Sequence, residues 1–200
     1  MKKLNIGCEA DYLPGWVNLD FDKRVKADVY HDLNKFPYPF KDSEFDIVLA
    51  SGVLEHLKDI IKAMKELHRI TKRGGRIYIM VPHFSDPTQH AESEHKQTFS
   101  YHSFGDPFWN KEFYPLFLVL RRRLSFTRIN FSFLNKFLNP LLNLFPTIYE
   151  RLFTGFIQCA TVNFVLEVRK DKKFFDGRTK RMEFLERKIN IDNLKFIKTA

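Results

Sequence analysis

The sequence has few of the residues and runs that mark several large protein classes. Only two of its 200 residues are cysteine, which excludes a disulfide-rich secreted scaffold. No uncharged run reaches the roughly 18–20 residues of a membrane-spanning helix. The first residues, "MKKLNIGCEADYL", lack the apolar stretch of a secretory leader, so we expect none. With Cys8 and Cys159 expected as buried free thiols, these absences favour the reducing cytoplasm.

Two nucleotide-binding motifs and a compact metal pattern are also missing. No G-x-G-x-x-G follows the first apolar run, which argues against a dinucleotide dehydrogenase, and no Walker-type lysine loop is present. The four histidines at positions 83, 90, 95 and 102 have a spacing that matches no compact zinc pattern. We therefore predict no metal site.

What is present indicates one globular domain with unevenly placed charge. Hydrophobic residues make up 44% of the chain and charged residues 28%, as in folded proteins. The net charge is +9, and residues 110–200 hold 18 Lys and Arg against 8 Asp and Glu, whereas the front half is close to neutral. The basic half is either a solvated surface or a face that meets an anionic membrane, nucleic acid or a phosphate-bearing substrate.

Short apolar runs separated by loops and one amphipathic helix occupy the first 82 residues. Only about ten residues, with Pro14 and Gly15 among them, separate the first two runs, so we predict a loop between them. This alternation predicts a three-layer α/β sandwich with a mostly parallel sheet. The predicted strands are 2–7, 16–20, 27–31, 45–51 and 76–82, and the predicted helix is 56–72, ended by Gly74 as a left-handed cap.

The second half is richer in phenylalanine and less regular. Residues 83–114 lack periodicity and contain the four histidines, so we predict a lid loop rather than a core element. Strands are predicted at 124–133 and 160–168. Between them, residues 133–158 are predicted to form a Phe-rich helical insertion, which Pro140 should kink or divide.

The domain boundaries follow from these elements. We predict a single domain over residues 1–170, which includes the lid and the insertion. The charged residues 171–200 are predicted to form a basic C-terminal tail.

The insertion carries an apolar stripe with asparagines on its opposite side at a spacing of four. Such a stripe is too apolar to be left in water on a soluble monomer. We expect it either to pack on the domain's own sheet or in a homodimer interface, or to dock as an interfacial helix on an anionic membrane. The stripe is Leu134, Phe137, Leu138, Leu141, Leu142 and Phe145, and the basic flanks are Arg121, Arg122, Arg123, Arg128, Lys136 and Arg151.

Three runs of the sequence together resemble the class I S-adenosylmethionine-dependent methyltransferases. They are "LNIGCEADYLPGWVNLDFD", "HDLNKFPYPFKDSEFDIVLASGVLEHL" and "ELHRITKRGGRIYIMVPHFS". The resemblance covers residues 3–85 and is closest to small methyltransferases often encoded with polysaccharide and cell-envelope genes. It implies S-adenosyl-L-methionine as the cofactor and a seven-stranded, mostly parallel, Rossmann-like sheet with its last strand antiparallel.

The first two strand tips carry residues that suit a nucleotide ligand. Gly7 lets the backbone approach a ligand closely, and the Asp20 carboxylate can accept both ribose hydroxyls. The resemblance further implies that the Asp32 carboxylate and the Leu33 N–H meet the adenine ring. The full set of implied cofactor-binding residues is Gly7, Cys8, Glu9, Asp20, Asp32, Leu33, Ser51 and His56.

Glu9 departs from the resembled pattern, because a second glycine usually follows the cysteine. The carboxylate could bind the cofactor's ammonium group, turn outward, or mark a weakened or lost site. The sequence leaves these three alternatives open.

Methyl transfer to a hydroxyl needs an aligned acceptor and a group that removes its proton. His83 follows a strand at the expected sheet edge and His95 lies on the adjacent loop, so we predict one of them as catalytic base or substrate ligand. The expected acceptor is a small molecule or a lipid-linked molecule, such as a sugar hydroxyl of an envelope polysaccharide.

Two other functions remain as alternatives. The basic half keeps open a nucleic-acid methyltransferase, although "LASGVLEH" stands where enzymes that methylate base amino groups have an Asn/Asp-Pro-Pro-aromatic run. Glu9 keeps open a non-catalytic binding protein with a methyltransferase fold.

Overall fold

The computed structural model of the chain describes residues 1–105, 112–127 and 132–170. Its centre is one seven-stranded sheet, and none of the described helices has the length and apolar content to cross a bilayer. The strands are β1 Lys3–Ile6, β2 Val17–Asp20, β3 Val29–Tyr30, β4 Phe45–Ser51, β5 Thr71–Pro82, β6 Phe117–Ser125 and β7 Thr161–Val168. The helices are α1 Ile60–Ile70, α2 Pro87–Ala91, α3 Asn135–Leu144 and α4 Pro146–Leu152.

The strand order confirms the predicted sheet. The strands follow one another as β3-β2-β1-β4-β5-β7-β6. The first five pair in parallel, and β7 pairs antiparallel with both β5 and β6. The last strand therefore runs against the other described strands. A loop joins β1 to β2, as Pro14 and Gly15 predicted.

The core covers the parallel strands and one face of α1. Successive residues Leu4, Asn5 and Ile6 of β1 are all buried, as in a strand covered on both sides. In α1, Ala63, Met64, Leu67 and Ile70 recur at helical spacing and are fully buried. The helical periodicity therefore places α1 against the sheet.

The predicted limits of this helix were too wide. Residues Leu54–His56 form a separate 3-10 turn, and the side chain of Asp59 caps α1 by accepting the Lys62 N–H at 2.9 Å. The helix ends at Ile70, and the backbone of Thr71 is already extended. Gly74 does have a φ of 72°, but it lies within β5 and is not the cap of α1.

The largest correction concerns β6, which spans Phe117–Ser125 rather than 124–133. Residues 128–131 of the predicted strand lie outside the described residues. Three consecutive arginines in β6 obscure any apolar alternation, and the strand can carry them because it is the edge of the sheet. The position of β6 at the edge of the folded sheet therefore decides where this strand lies, and the apolar alternation of the sequence does not.

The segment 83–114 also differs from its prediction. Phe99, Phe104 and Phe113 are at most 6% exposed and belong to the main core. The expectation that this segment is not a core element is therefore wrong for these three side chains. Its function as a lid stays a prediction.

The insertion is helical, as predicted, but the break between its two helices does not lie at Pro140. Pro140 sits inside α3, and the second helix begins at Pro146, where the missing proline N–H costs no hydrogen bond. The predicted basic tail, residues 171–200, lies outside the described residues.

Three asparagines attach α3 to the free edge of β6 and the residues that follow it. Asn143 accepts the Leu124 N–H and donates to the Leu124 carbonyl, both at 2.8 Å. Asn139 accepts the Phe126 N–H at 2.8 Å, and Asn135 bonds the N–H and carbonyl of Thr127. We call these three side chains the asparagine ladder. Four residues of helix rise about 6 Å, close to two residues of strand, which matches the step from Leu124 to Phe126, whereas Asn135 bonds the very next residue, Thr127. Within β6 the ladder supplies partners for Leu124, and its other bonds hold the two residues that follow Ser125.

Candidate active site

Three predicted site residues lie at one level of the sheet's carboxyl edge. Ile6 of β1 pairs with Leu19 of β2 and with Ala50 of β4, so the next residues on these strands are Gly7, Asp20 and Ser51. Neighbouring strands are about 4.8 Å apart. The strand order also reverses between β1 and β4, and open α/β sheets bind ligands at such a switch point.

The Asp20 carboxylate is held in a fixed orientation at this edge. It is only 6% exposed, Oδ2 accepts the Glu9 N–H at 2.9 Å, and Oδ1 accepts the Asp22 N–H at 2.9 Å. A carboxylate oxygen accepts about two hydrogen bonds, so each oxygen retains one site. The group is therefore already oriented to accept two neighbouring hydroxyls.

Gly7 is required by its turn and by a neighbouring side chain. Its φ is +62°, and a Cβ at this position would come within 2.4 Å of Val53 Cγ2. The glycine thus lets the loop after β4 pack against the tip of β1, a reason that the sequence did not suggest. The close approach of a ligand to Gly7 stays a prediction.

Cys8 and Glu9 complete the turn after β1 and face different surroundings. Cys8 is 2% exposed, and burial raises the pKa of its thiol, with a further rise from Asp20. Glu9 is exposed and has a φ of +44°, in the left-handed region that disfavours residues with a Cβ. The side chain therefore turns outward, and the backbone explains why glycine is usual at this position.

Asp32 and Leu33 lie just beyond β3, on the side of Asp20. Tyr30 pairs with Asp20, and Asp32 follows it by two residues. The Leu33 carbonyl accepts the Tyr38 hydroxyl at 3.1 Å, while the Leu33 N–H has no acceptor among the described residues. Leu33 is 6% exposed. A carboxylate beside an unpaired N–H is the donor and acceptor set that fits the amino group and ring nitrogen of adenine.

His56 and His95 meet beside the end of β4. Their ring centroids are 4.8 Å apart, and the N–H groups of Lys96 and Gln97 donate to the Glu55 carbonyl, which holds the His95 loop against the 3-10 turn. Ligand atoms of Glu55, His56 and His95 lie within 4.8 Å of one another. Histidine spacing did not suggest this cluster, because the fold assembles it. The absence of a metal site stays a prediction.

Both ring nitrogens of His95 face an oxygen atom. Its Nδ1 lies 3.2 Å from the Gln89 carbonyl, which only accepts, so Nδ1 carries a proton. Nε2 lies 3.2 Å from Oε2 of the half-exposed Glu92, which also only accepts, so Nε2 can take a proton from another group only where this carboxylate moves away.

His83 is fully buried and bonded on both sides of its ring. Nδ1 lies 2.8 Å from Ser85 Oγ, and Nε2 lies 2.9 Å from Oε1 of Glu150 in α4. Glu150 Oε1 also accepts the Tyr101 N–H. His83 thus joins the end of β5 to the insertion, and its role as base or substrate ligand stays a prediction. Sequence reasoning missed Glu150, which is 67 residues away and has no local signal.

Comparisons with known proteins agree with this arrangement. Residues 11–79 match the family model described as a methyltransferase domain. Over 50 residues the chain is 48% identical to a demethylmenaquinone methyltransferase of Streptomyces griseus subsp. griseus, covering 25% of this chain and 21% of that protein. Over 98 residues it is 33% identical to the ubiquinone/menaquinone biosynthesis C-methyltransferase UbiE of Vibrio cholerae serotype O1, covering 46% and 37%. The matches thus span less than two fifths of these two relatives.

Solved structures show the same fold at low identity. A SAM dependent methyltransferase from Archaeoglobus fulgidus aligns with a TM-score of 0.56 at 14% identity, covering 83% of this chain and 85% of that one. An S-adenosylmethionine dependent methyltransferase from Mesorhizobium loti aligns with a TM-score of 0.52 at 12% identity, covering 83% and 90%. The resemblance to the class I methyltransferases is therefore confirmed, in the matched domain and in the fold.

Proposed function

We propose that this chain is an S-adenosylmethionine-dependent methyltransferase whose cofactor lies across the carboxyl edge of β1, β2 and β4. The observation that carries the proposal is the preset Asp20 carboxylate, level with Gly7 and Ser51. The matched methyltransferase domain includes Asp20, Asp32, Ser51 and His56, which supports their assignment.

Each part of the cofactor has a proposed partner. Asp20 holds the ribose hydroxyls by charge-assisted hydrogen bonds, and Asp32 with the Leu33 N–H holds the adenine. The Gly7–Glu9 turn lies beside the methionine part, and Ser51 and His56 line the pocket after β4. When bound, the cofactor supplies the methyl group from its sulfonium.

Of the two predicted bases, we assign proton removal to His95. The side chain of Glu92, which faces its Nε2, is 52% exposed, so an acceptor hydroxyl can displace it. With Nδ1 bonded to the Gln89 carbonyl, Nε2 can then accept the proton of that hydroxyl. Both nitrogens of His83 are instead engaged by Ser85 and Glu150. We therefore assign His83 a positioning role at the end of β5.

The acceptor proposed is a small or lipid-linked molecule, with a sugar hydroxyl of an envelope polysaccharide as the finer assignment. Two of the relatives are named for demethylmenaquinone and for ubiquinone/menaquinone, so a quinone is the competing acceptor. The cytoplasm is the compartment proposed, because both cysteines are free thiols.

Calorimetric titration with S-adenosylhomocysteine tests the cofactor site. Asp20→Ala should lose about 1.5–3 kcal/mol of binding, the contribution of hydrogen bonds to a charged group. Because Asp20 also accepts two backbone N–H groups, Asp20→Asn serves as a milder variant, and thermal unfolding checks that both are folded. Asp22→Ala is the matched control, since its carboxylate pairs with Arg24 on the same loop.

Different results would contradict the ribose ligand, the enzyme activity and the small-molecule acceptor. If folded Asp20→Ala binds as tightly as the parent, Asp20 is not the ribose ligand. If the parent itself binds no S-adenosylhomocysteine, the non-catalytic alternative replaces the enzyme. Salt-sensitive RNA binding by the parent would favour the nucleic-acid methyltransferase.

A further inference from the structure

The insertion exposes a large set of apolar side chains, which we name the outer apolar face. Nine large hydrophobic residues within 133–156 are 47–87% exposed. They are Phe133, Phe137, Leu141, Leu144, Phe145, Ile148, Leu152, Phe153 and Phe156. Of the stripe predicted from sequence, Leu142 is buried, whereas Phe137, Leu141 and Phe145 are not. Packing on the domain's own sheet is therefore wrong for these three residues.

The asparagine ladder forces this face outward. At about 100° per residue, Phe137, Leu141 and Leu144 lie roughly opposite Asn135, Asn139 and Asn143 on α3. The three asparagines make five hydrogen bonds to Leu124, Phe126 and Thr127. Turning the apolar side of α3 toward the sheet would break all five, so its exposure is built into the fold.

The summed exposed area of these nine side chains is larger than a typical single apolar patch on a monomer. With about 150–250 Å² for each aromatic side chain and less for each aliphatic one, the exposed fractions amount to roughly 1,000 Å². The largest apolar patch on a typical monomer is about 300–600 Å². The nine side chains together therefore expose enough apolar surface for docking.

The charges around the face favour an anionic occupant. Among residues 132–157 the charged residues are Lys136, Glu150 and Arg151, and the two basic ones are exposed. The Glu150 side chain is only 10% exposed and bonds His83. Arg123 adds an exposed cation on the adjacent edge strand. A symmetric contact with a second copy would bring these like charges together, whereas anionic headgroups would neutralise them.

We propose that the outer apolar face docks on the surface of an anionic lipid bilayer, with α3 and α4 lying in the interface plane. Apolar side chains enter the boundary of the acyl chains while Lys136 and Arg151 contact headgroups, as in interfacial amphipathic helices. The inner side of α4 bonds His83 at the end of β5, beside the candidate active site. Resting on the proposed function, this geometry favours a lipid-linked acceptor.

Vesicle co-sedimentation tests the docking with the full chain. The parent should bind vesicles of phosphatidylglycerol and phosphatidylcholine at low salt, and bind phosphatidylcholine alone at least roughly tenfold more weakly. Phe137→Ser with Leu141→Ser should lower the partition coefficient by roughly tenfold or more, because exposed apolar groups are removed. Phe21→Ser is the matched control, since Phe21 is 74% exposed near the opposite edge of the sheet.

Charge-reversal variants separate electrostatic attraction from apolar insertion. Lys136→Glu with Arg151→Glu should weaken binding to the anionic vesicles, whereas Lys23→Glu, an exposed lysine between β2 and β3, should leave it unchanged. Salt should weaken binding of the parent more than binding of the charge variant.

Three results would overturn the proposal. The first is no binding of the parent to anionic vesicles at low salt. The second is a loss of vesicle binding by Phe21→Ser that equals the loss by the apolar double variant. The third is a parent that is a dimer by light scattering and binds no vesicles, and that Phe137→Ser with Leu141→Ser converts to a monomer. Binding of S-adenosylhomocysteine should be the same in the apolar double variant and the parent, and Asp20→Ala should still bind vesicles. Failure of docking is therefore distinguishable from failure of the cofactor site.

Discussion

Glu9 offers a stringent test of the backbone at the candidate site. Its φ of +44° places an exposed glutamate in the left-handed region, and Ser43 has a similar φ of +52° on an exposed loop away from the strand tips. Replacing either residue by glycine removes a strained Cβ. Only one of the two changes lies in the proposed cofactor turn, so Ser43→Gly is a matched control for Glu9→Gly.

The expected gain in stability is small and calculable. A left-handed conformation costs a residue with a Cβ roughly 1–2 kcal/mol, and glycine loses roughly 0.5–1 kcal/mol more conformational entropy on folding. Each substitution should therefore raise the free energy of unfolding by about 0.5–1 kcal/mol. For a chain of this length the corresponding rise in Tm is about 1–4 °C. Thermal unfolding followed by circular dichroism measures it.

Cofactor affinity then tests whether the Glu9 carboxylate is a ligand. Because the Glu9 side chain is exposed and turned outward, we expect Glu9→Gly to bind S-adenosylhomocysteine within about fivefold of the parent, since an exposed ion pair contributes about 0–1 kcal/mol. Ser43→Gly should also bind like the parent. Glu9→Gln keeps the strained backbone and removes only the charge.

Two results would refute this reasoning. A lower Tm for Glu9→Gly, with a higher Tm for Ser43→Gly, would mean that Glu9 makes a stabilising contact that outweighs its strain. A loss of affinity above tenfold, about 1.4 kcal/mol, shared by Glu9→Gly and Glu9→Gln would show that the carboxylate is a working cofactor ligand.

Two further predictions concern the sheet edge and an internal histidine. Asn143→Ala leaves the N–H and carbonyl of the buried Leu124 without their partner, so the free energy of unfolding in urea should fall by about 1–3 kcal/mol. The control Lys136→Ala, on the exposed side of α3, should change this free energy by less than about 0.5 kcal/mol. Equal effects of the two substitutions would count against the asparagine ladder. Burial lowers the pKa of His68, so protonation favours the unfolded chain, and stability should fall as the pH drops below the ordinary histidine pKa of 6.5. His68→Gln should flatten that part of the stability profile measured by urea titration at several pH values, and an unchanged slope would exclude His68 as its cause.

Much of the parallel half of the fold follows from local sequence patterns. The runs around Ile6, Leu19 and Val48 read as short buried strands, and the loop with Pro14 and Gly15 leaves no room for a helix. Parallel strands present their carboxyl ends at one edge, so the residues that follow them, Gly7 and Asp20, were predictable as neighbours. The antiparallel last strand followed from the family resemblance rather than from any local pattern.

The candidate site was predictable only in part. Strand-tip residues were found because local turn chemistry marks them, and the outward Glu9 was one of three alternatives that the residues left open. The His56–His95 contact and the His83–Glu150 pair had no local signal, because each joins distant segments in the folded chain. Their assembly depends on how the segment after β5 packs over the sheet edge.

The sequence by itself determined that the insertion is amphipathic, with asparagines at a spacing of four opposite an apolar stripe, because helical periodicity is a local property. Only the tertiary structure decided which side meets the sheet. The backbone groups of Leu124 in the edge strand β6, and of Phe126 and Thr127 after it, need hydrogen-bond partners, and the asparagine side chains supply them. The polar side of α3 therefore faces the protein and the apolar side faces outward, a reversal of the usual arrangement that hydrophobicity alone does not predict.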